Sequence, residues 1–263
     1  MPFDQGIAEV RAQVPQAFET NAPLFVFIDP FGATGAPFVE VARLLASERS
    51  EILINLDADG IDRIAAAEGA ASSEAVLAKV FGVTGWQAHL DRSRPASERC
   101  RQVLQLYKSQ LYQHARYVFS FEMRGKESNL NYYLVFASNH PLGLTKMKEV
   151  LRTIDQTGDY AFCDADVDQT RLFRFDHAED WIPKMFDVCK GRRVEWAELE
   201  RYVLNETPFI KVSALLQPME KENYIAQVEA VNGVRRSRGQ FTAKSVAAVR
   251  FVDDRAPTSL WDT

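Results

Sequence analysis

The sequence predicts an α/β chain in two parts: a sheet domain, mostly parallel with one antiparallel hairpin, and a smaller helical domain closed by a two-stranded ribbon. Three observations predict it. Leu24 to Ile28 is an unbroken apolar run of strand length, ended at once by Asp29-Pro30-Phe31-Gly32, and Glu51 to Asp57 repeats the pattern; a helical stripe follows each. Tyr117 to Met123 and Asn131 to Ala137 flank a short polar stretch, Arg124 to Leu130, which reads as a hairpin loop. Beyond Asp176 come three short helical stretches, then two strands joined by an arginine-rich connection.

The elements can be taken in order. Ile7, Val10, Val14 and Phe18 recur at helical spacing, so a helix is expected over Gln5 to Phe18. The Leu24 run, rich in aromatic and β-branched residues, suits a central strand buried on both faces. Proline cannot donate to a ladder and glycine permits a turn, so the strand stops at Pro30 and Gly32. Phe38, Val41, Leu44 and Leu45 form the stripe of the next helix, with Pro37 suited to its first turn. After the Glu51 strand come helices through Ile61 and Ile64, over Ser73 to Phe81, and over Ala96 to Ala115. The hairpin leads to Asn139-His140-Pro141, which opens a helix carrying Met147, Val150, Leu151 and Ile154. Domains are expected at 1–155 and 177–263, with an acidic, irregular linker at 156–176. In the second domain, helices run from Ala178 to Cys189, from Val194 to near Asn205, and from Phe209 onward. Strands follow at Ile225 to Val231 and Val246 to Val252. Three helices and a basic-tipped ribbon are the order of a winged helix-turn-helix.

Composition narrows the function classes. The 263 residues are 46% hydrophobic and 25% charged, with a formal net charge of -5, so any nucleic-acid surface must be local. Cys100, Cys163 and Cys189 are scattered and form no CxxC, which suits buried thiols in a reducing compartment rather than disulfides or a metal site. No apolar stretch is long enough to span a bilayer and no charged-then-apolar leader opens the chain. A cytoplasmic protein without membrane contact is expected.

The order helix, strand, helix, strand, helices, strand, antiparallel strand matches the second half of a Rossmann-like methyltransferase, whose strands lie 3-2-1-4-5-7-6 with only the seventh antiparallel. The Leu24 strand would be the fourth, the Ile52 strand the fifth, and the hairpin the sixth and seventh. The blocks LFVFIDPFGATGAPFVEVARLLASERSEILINLDADGIDR and YYLVFASNHPLGLTKMKEVLRTIDQTG, with WAELERYVLNETPFIKVSALLQPME, resemble the three-Cys-motif partner proteins (TcmP), a methyltransferase-like family. The resemblance covers nearly the whole chain, and the NHPLG-x3-MK spacing is its most specific part. It implies S-adenosylmethionine as cofactor, no metal, and a neighbouring three-Cys-motif protein as partner; those cysteines belong to the neighbour. Members carry an FAGxG-like segment that has no counterpart before Leu24. The chain alone is therefore expected to bind the cofactor weakly or not at all, and a separate N-terminal half or a homodimer is expected to pair with the Leu24 strand.

Ligands of open α/β sheets bind past the carboxyl ends of the strands. Asp29-Pro30-Phe31 resembles the DPPY/F motif of amino-directed methyltransferases, in which the acid holds a target amino group and the ring stacks on an extruded base. Here the second proline is absent, and a plain strand-end turn explains the same residues. Asn55 and Asp57 could line the same mouth or cap the following helix. Asn139 reads as an N-cap rather than a catalytic group, because the strand before it runs opposite to the others. From Lys184 to Arg250 there are roughly twelve basic and eight acidic residues. Arg235, Arg236 and Arg238 at a wing tip, with Lys211 and Ser213 on the third helix, suit phosphate contacts to DNA or RNA; the alternative is a non-catalytic module that binds nucleic acid or protein.

Overall fold

A computed structural model describes residues 3–18, 22–30, 32–67, 71–124, 130–154, 161–163, 178–232 and 234–254. Backbone contacts divide the chain into two compact units, the second formed mainly by the residues from Phe173 onward.

The first unit is mixed α/β. Its strands are β1 (Leu24–Ile28), β2 (Ser50–Leu56), β3 (Tyr117–Arg124), β4 (Leu130–Ser138) and β5 (Ala161–Cys163). They form one mixed sheet in the order β1-β2-β4-β3-β5. β1 runs parallel to β2, and β4 runs antiparallel to both β2 and β3. The helices are α1 (Phe3–Gln13), α2 (Phe38–Leu45), α3 (Ala58–Ala66), α4 (Ala71–Phe81), α5 (Ala96–Leu111) and α6 (Pro141–Ile154). Alternation along β2 turns Ile52, Ile54 and Leu56 into a core shared with Val41, Ile61, Leu77 and Val103. α6 packs over β3 and β4; its Lys148 is fully buried, with Nζ 4.3 Å from the centre of the Phe119 ring.

Three expectations need correction. β1 is not a central strand buried on both faces. It stands at the edge of the order, and Phe25 and Phe27 are each 54% exposed. Leu24, Val26 and Ile28 turn to the core, so an unbroken apolar run here means one packed face and one bare face. The opening helix stops at Gln13, because Pro15 has no N–H to continue it, and Pro15–Phe18 forms a 3-10 turn. Ala161–Cys163, within the stretch read as irregular, is a strand parallel to β3.

The second unit runs α7 (Ala178–Cys189), β6 (Arg193–Glu195), α8 (Trp196–Glu206), α9 (Ser213–Lys221), β7 (Ile225–Ala230) and β8 (Val246–Phe251). The strands lie β6-β8-β7, all antiparallel. Met185, Leu199, Val203, Leu216, Met219, Phe241 and Val249 fill the core. Val194, expected to open a helix, is instead the buried middle of β6, and α8 begins at Trp196. The third helix starts at Ser213, not Phe209.

Candidate functional site

The parallel register places Ile28 beside Ile54, so the next residues, Asp29 and Asn55, stand together at the carboxyl ends of β1 and β2. Asn55 Nδ2 donates to Asp29 Oδ1 at 2.7 Å. Asn55 Oδ1 is buried and has no hydrogen-bond partner among the described residues, while Asp29 is exposed. The pair therefore presents an oriented, solvent-facing carboxylate. Such a pair is chemically suited to groups that donate, such as an amine. Pro30 is half-buried and closes β1; Phe31, the ring of the sequence motif, lies outside the described residues. Gly32 follows with φ +83°, a conformation that favours glycine.

Asp57 does not join the pair. It caps α3, its Oδ1 accepting from the Gly60 N–H at 2.8 Å. Gly60 has no space for a Cβ, which would come within 2.2 Å of Asp57 Oδ2. Asn139 is a structural tie rather than the cap of α6. Its Nδ2 donates to the Leu45 carbonyl at 3.3 Å and the His114 carbonyl at 3.1 Å, and its Oδ1 accepts from the Arg116 N–H at 3.1 Å. His140 immediately precedes α6, and its Nδ1 accepts from the Leu142 N–H. That replaces the N-cap assignment from sequence, although Pro141 does open the helix.

Other reactive groups are held away from chemistry. Arg99 forks onto buried Asp62, with Nε–Oδ1 at 2.9 Å and Nη2–Oδ2 at 2.8 Å, tying α5 to α3. Burial pushes the Cys100 thiol up to about 11, so it is no nucleophile at neutral pH. Among the described residues, no group of three or more His, Cys, Asp or Glu side chains is placed to hold a metal ion. A cavity of about 440 Å³ lies between α2 and the end of α4, lined by Pro37, Val39, Glu40, Lys79 and Gly82 among others; neither Asp29 nor Asn55 lines it. Glu40 in its wall is paired with Arg43 at 2.5 Å.

In the second unit, Lys211 is exposed two residues before α9, and half-buried Ser213 is the helix's first residue. Arg235 and Arg238 are exposed on the connection between β7 and β8. Arg236 is turned inward: its Nη2 meets Glu220 Oε1 at 2.5 Å, its Nε donates to the Gln240 carbonyl at 3.0 Å, and its guanidinium lies 4.5 Å from the centre of the Phe241 ring. Glu220 also accepts from the Gly239 N–H at 2.7 Å, and Gln217 Nε2 donates to the Gly239 carbonyl at 2.8 Å. Neither Gln217 nor Glu220 stands out in the sequence. A glutamate on a helix and a glycine 19 residues later share no periodic signal.

Among the described residues no helix is long and apolar enough to cross a membrane. Comparison of the chain with protein-family models, with curated proteins and with solved structures finds no match.

Proposed function

We propose that this chain is a methyltransferase-type protein similar to the three-Cys-motif partner proteins. It joins the carboxyl half of a Rossmann-like sheet to a winged helix, and Asp29 with Asn55 holds the amino group that accepts the methyl. One observation carries the reading: the order β1-β2-β4-β3 with β4 antiparallel, which corresponds to 4-5-7-6 in that fold, and an acid paired to an amide at the carboxyl ends of the first two strands. The order supports the reading by analogy of fold; the function rests on the pair itself.

S-adenosylmethionine supplies a methyl group on a sulfonium. The residues of this chain act on the acceptor. Asp29 takes a hydrogen bond from the amine and aims its lone pair. Asn55 holds the Asp29 carboxylate in place. With a bound cofactor as methyl donor, the amine would give up its proton to solvent. The described residues offer this acceptor side without a cofactor cradle: among them, no second strand and glycine turn lie beside β1. The cofactor half would come from a segment or chain that pairs with the outer edge of β1.

Calorimetric titration of the chain with S-adenosylmethionine tests this division. The reading expects binding weaker than low micromolar, which would correspond to about 8 kcal/mol. Low-micromolar binding would place a complete cofactor site within the chain and overturn the half-sheet reading. The second reading, a non-catalytic winged-helix module, draws on the unpaired cations of the second unit. It is favoured if no methyl transfer is found at any cofactor concentration.

A further inference from the structure

Most basic residues of the second unit fall into two sets; Lys184, Arg201 and Arg250 are also exposed and belong to neither. On β6 and its flanks they are neutralised: Arg192 by Glu198, and Arg193 by a forked contact to Glu229, with distances of 2.7 to 3.0 Å. Lys190 meets Asp187 at the end of α7. Around α9 and the β7–β8 connection the pattern reverses. Lys211, Lys221, Arg235, Arg238 and Lys244 are exposed and form no ion pair among the described residues. Glu220, the carboxylate on the flank of α9 that faces the connection, is consumed by Arg236 and the Gly239 N–H.

That consumption has a geometric result. Glu220 and Gln217 lie three residues apart, on one flank of α9. Together they hold both backbone groups of Gly239, whose φ of +79° forms the turn. Phe241 is buried in the core and carries the Arg236 guanidinium against its face. The connection is thus fastened to the helix on one side of the turn and to the core on the other. Arg235 and Arg238 flank the fastened Arg236. A long loop bearing arginines would ordinarily lose ordering entropy on meeting a ligand; this one is ordered in advance.

We propose that the exposed flank of α9 and the β7–β8 connection bind the phosphate backbone of duplex nucleic acid, with Lys211, Lys221, Arg235, Arg238 and Lys244 as contacts and Arg236 with Glu220 as positioning residues. Charge complementarity selects this partner: five exposed cations surround the fastened turn against one exposed carboxylate, Glu222 at the end of α9, and phosphate contacts need no base-reading helix. The inference goes beyond the proposed function and is independent of Asp29.

The test is fluorescence anisotropy of a labelled duplex DNA of about 20 base pairs, with the full chain, between roughly 50 and 200 mM salt. Binding should weaken with salt, by about 0.9 in the logarithmic slope for each phosphate contact. The Arg235→Ala, Arg238→Ala double variant should flatten the slope by about 2. Glu220→Gln decides the positioning role by sign. It removes a negative charge from a cationic surface, so charge alone would tighten binding; loss of the fastening should weaken it about fivefold. Gln217→Ala, which changes no charge, should weaken binding in the same direction, and covers the case in which Glu220→Gln does not fold. The assay contains no cofactor and reads no methyl transfer, so its outcome is separate from that of the acceptor site. No binding at low salt, or an unchanged slope in the double variant, would overturn the proposal and assign the surface to a protein partner. Tighter binding by Glu220→Gln would overturn the positioning role.

Discussion

Asn55 Nδ2 donates to Asp29 Oδ1 at 2.7 Å, joining residues 26 positions apart at the carboxyl ends of two parallel strands. The same amide keeps its oxygen buried and without a partner among the described residues. A buried acceptor left unmade costs stability, on the order of 1–3 kcal/mol, and calls for an explanation, as do the buried Ser50 Oγ and Trp196 Nε1 elsewhere.

Asn55→Ala should therefore separate stability from activity. Removing the unmet oxygen should leave the urea midpoint unchanged or raise it, while Asp29 loses its orienting donor and methyl transfer falls. A stability loss of more than about 1 kcal/mol would make Asn55 a structural residue instead.

Asn139 should behave in the opposite way. Its side chain makes three hydrogen bonds, to the carbonyls of Leu45 and His114 and from the N–H of Arg116. Asn139→Ala should lower the unfolding free energy by about 1–3 kcal/mol, measured by urea denaturation, with methyl transfer per folded molecule unchanged.

The outer edge of β1 has no neighbouring strand among the described residues. The Leu24 N–H donates to the Arg49 carbonyl on the β2 side. By alternation, Val26 and Ile28 also face β2, and the backbone groups of Phe25 and Phe27 point outward. Their side chains are exposed as well. Such an edge invites pairing with another strand. Sedimentation should show association that rises with concentration, and Phe25→Lys with Phe27→Lys should abolish it without lowering thermal stability. A wild-type monomer at every concentration would mean that the edge is covered.

Two thiols should be silent in the native protein. Burial pushes Cys100 and Cys189 up to about 11, which lowers the thiolate fraction at a given pH; at pH 8 it is about one in a thousand. Iodoacetamide at pH 8 should leave both unmodified in buffer and modify both in urea, as read by peptide mass. Native labelling of either would contradict its burial.

The parts of this molecule that were legible in the sequence are those set by local pattern. Apolar runs end at Ile28 and near Leu56, which marked Asp29 and Asn55 as strand-end residues, and the β1–β2 register brings them into contact. Long-range pairing was legible only by analogy of element order, which set the Leu24 strand beside the Ile52 strand with its other edge open; which faces are bare was not. The run LFVFI looks the same in a central strand and in an edge strand with a bare aromatic face, so the exposure of Phe25 and Phe27 could not be foreseen. β5 and β6 are three residues long, too short for alternation to register. The Arg236–Glu220 fastening joins a loop to a helix through two side chains that, in sequence, look like ordinary surface charges.

The central claim is that Asp29 holds the amino group that receives the methyl. Transfer of a labelled methyl group from S-adenosylmethionine to duplex DNA, RNA and protein tests it directly. The full chain should be used with cofactor at about millimolar concentration, to offset weak binding. The account predicts transfer to an amino nitrogen that falls at least about a hundredfold in Asp29→Ala, with the fold and duplex binding retained. Equal transfer by the wild type and Asp29→Ala would contradict it.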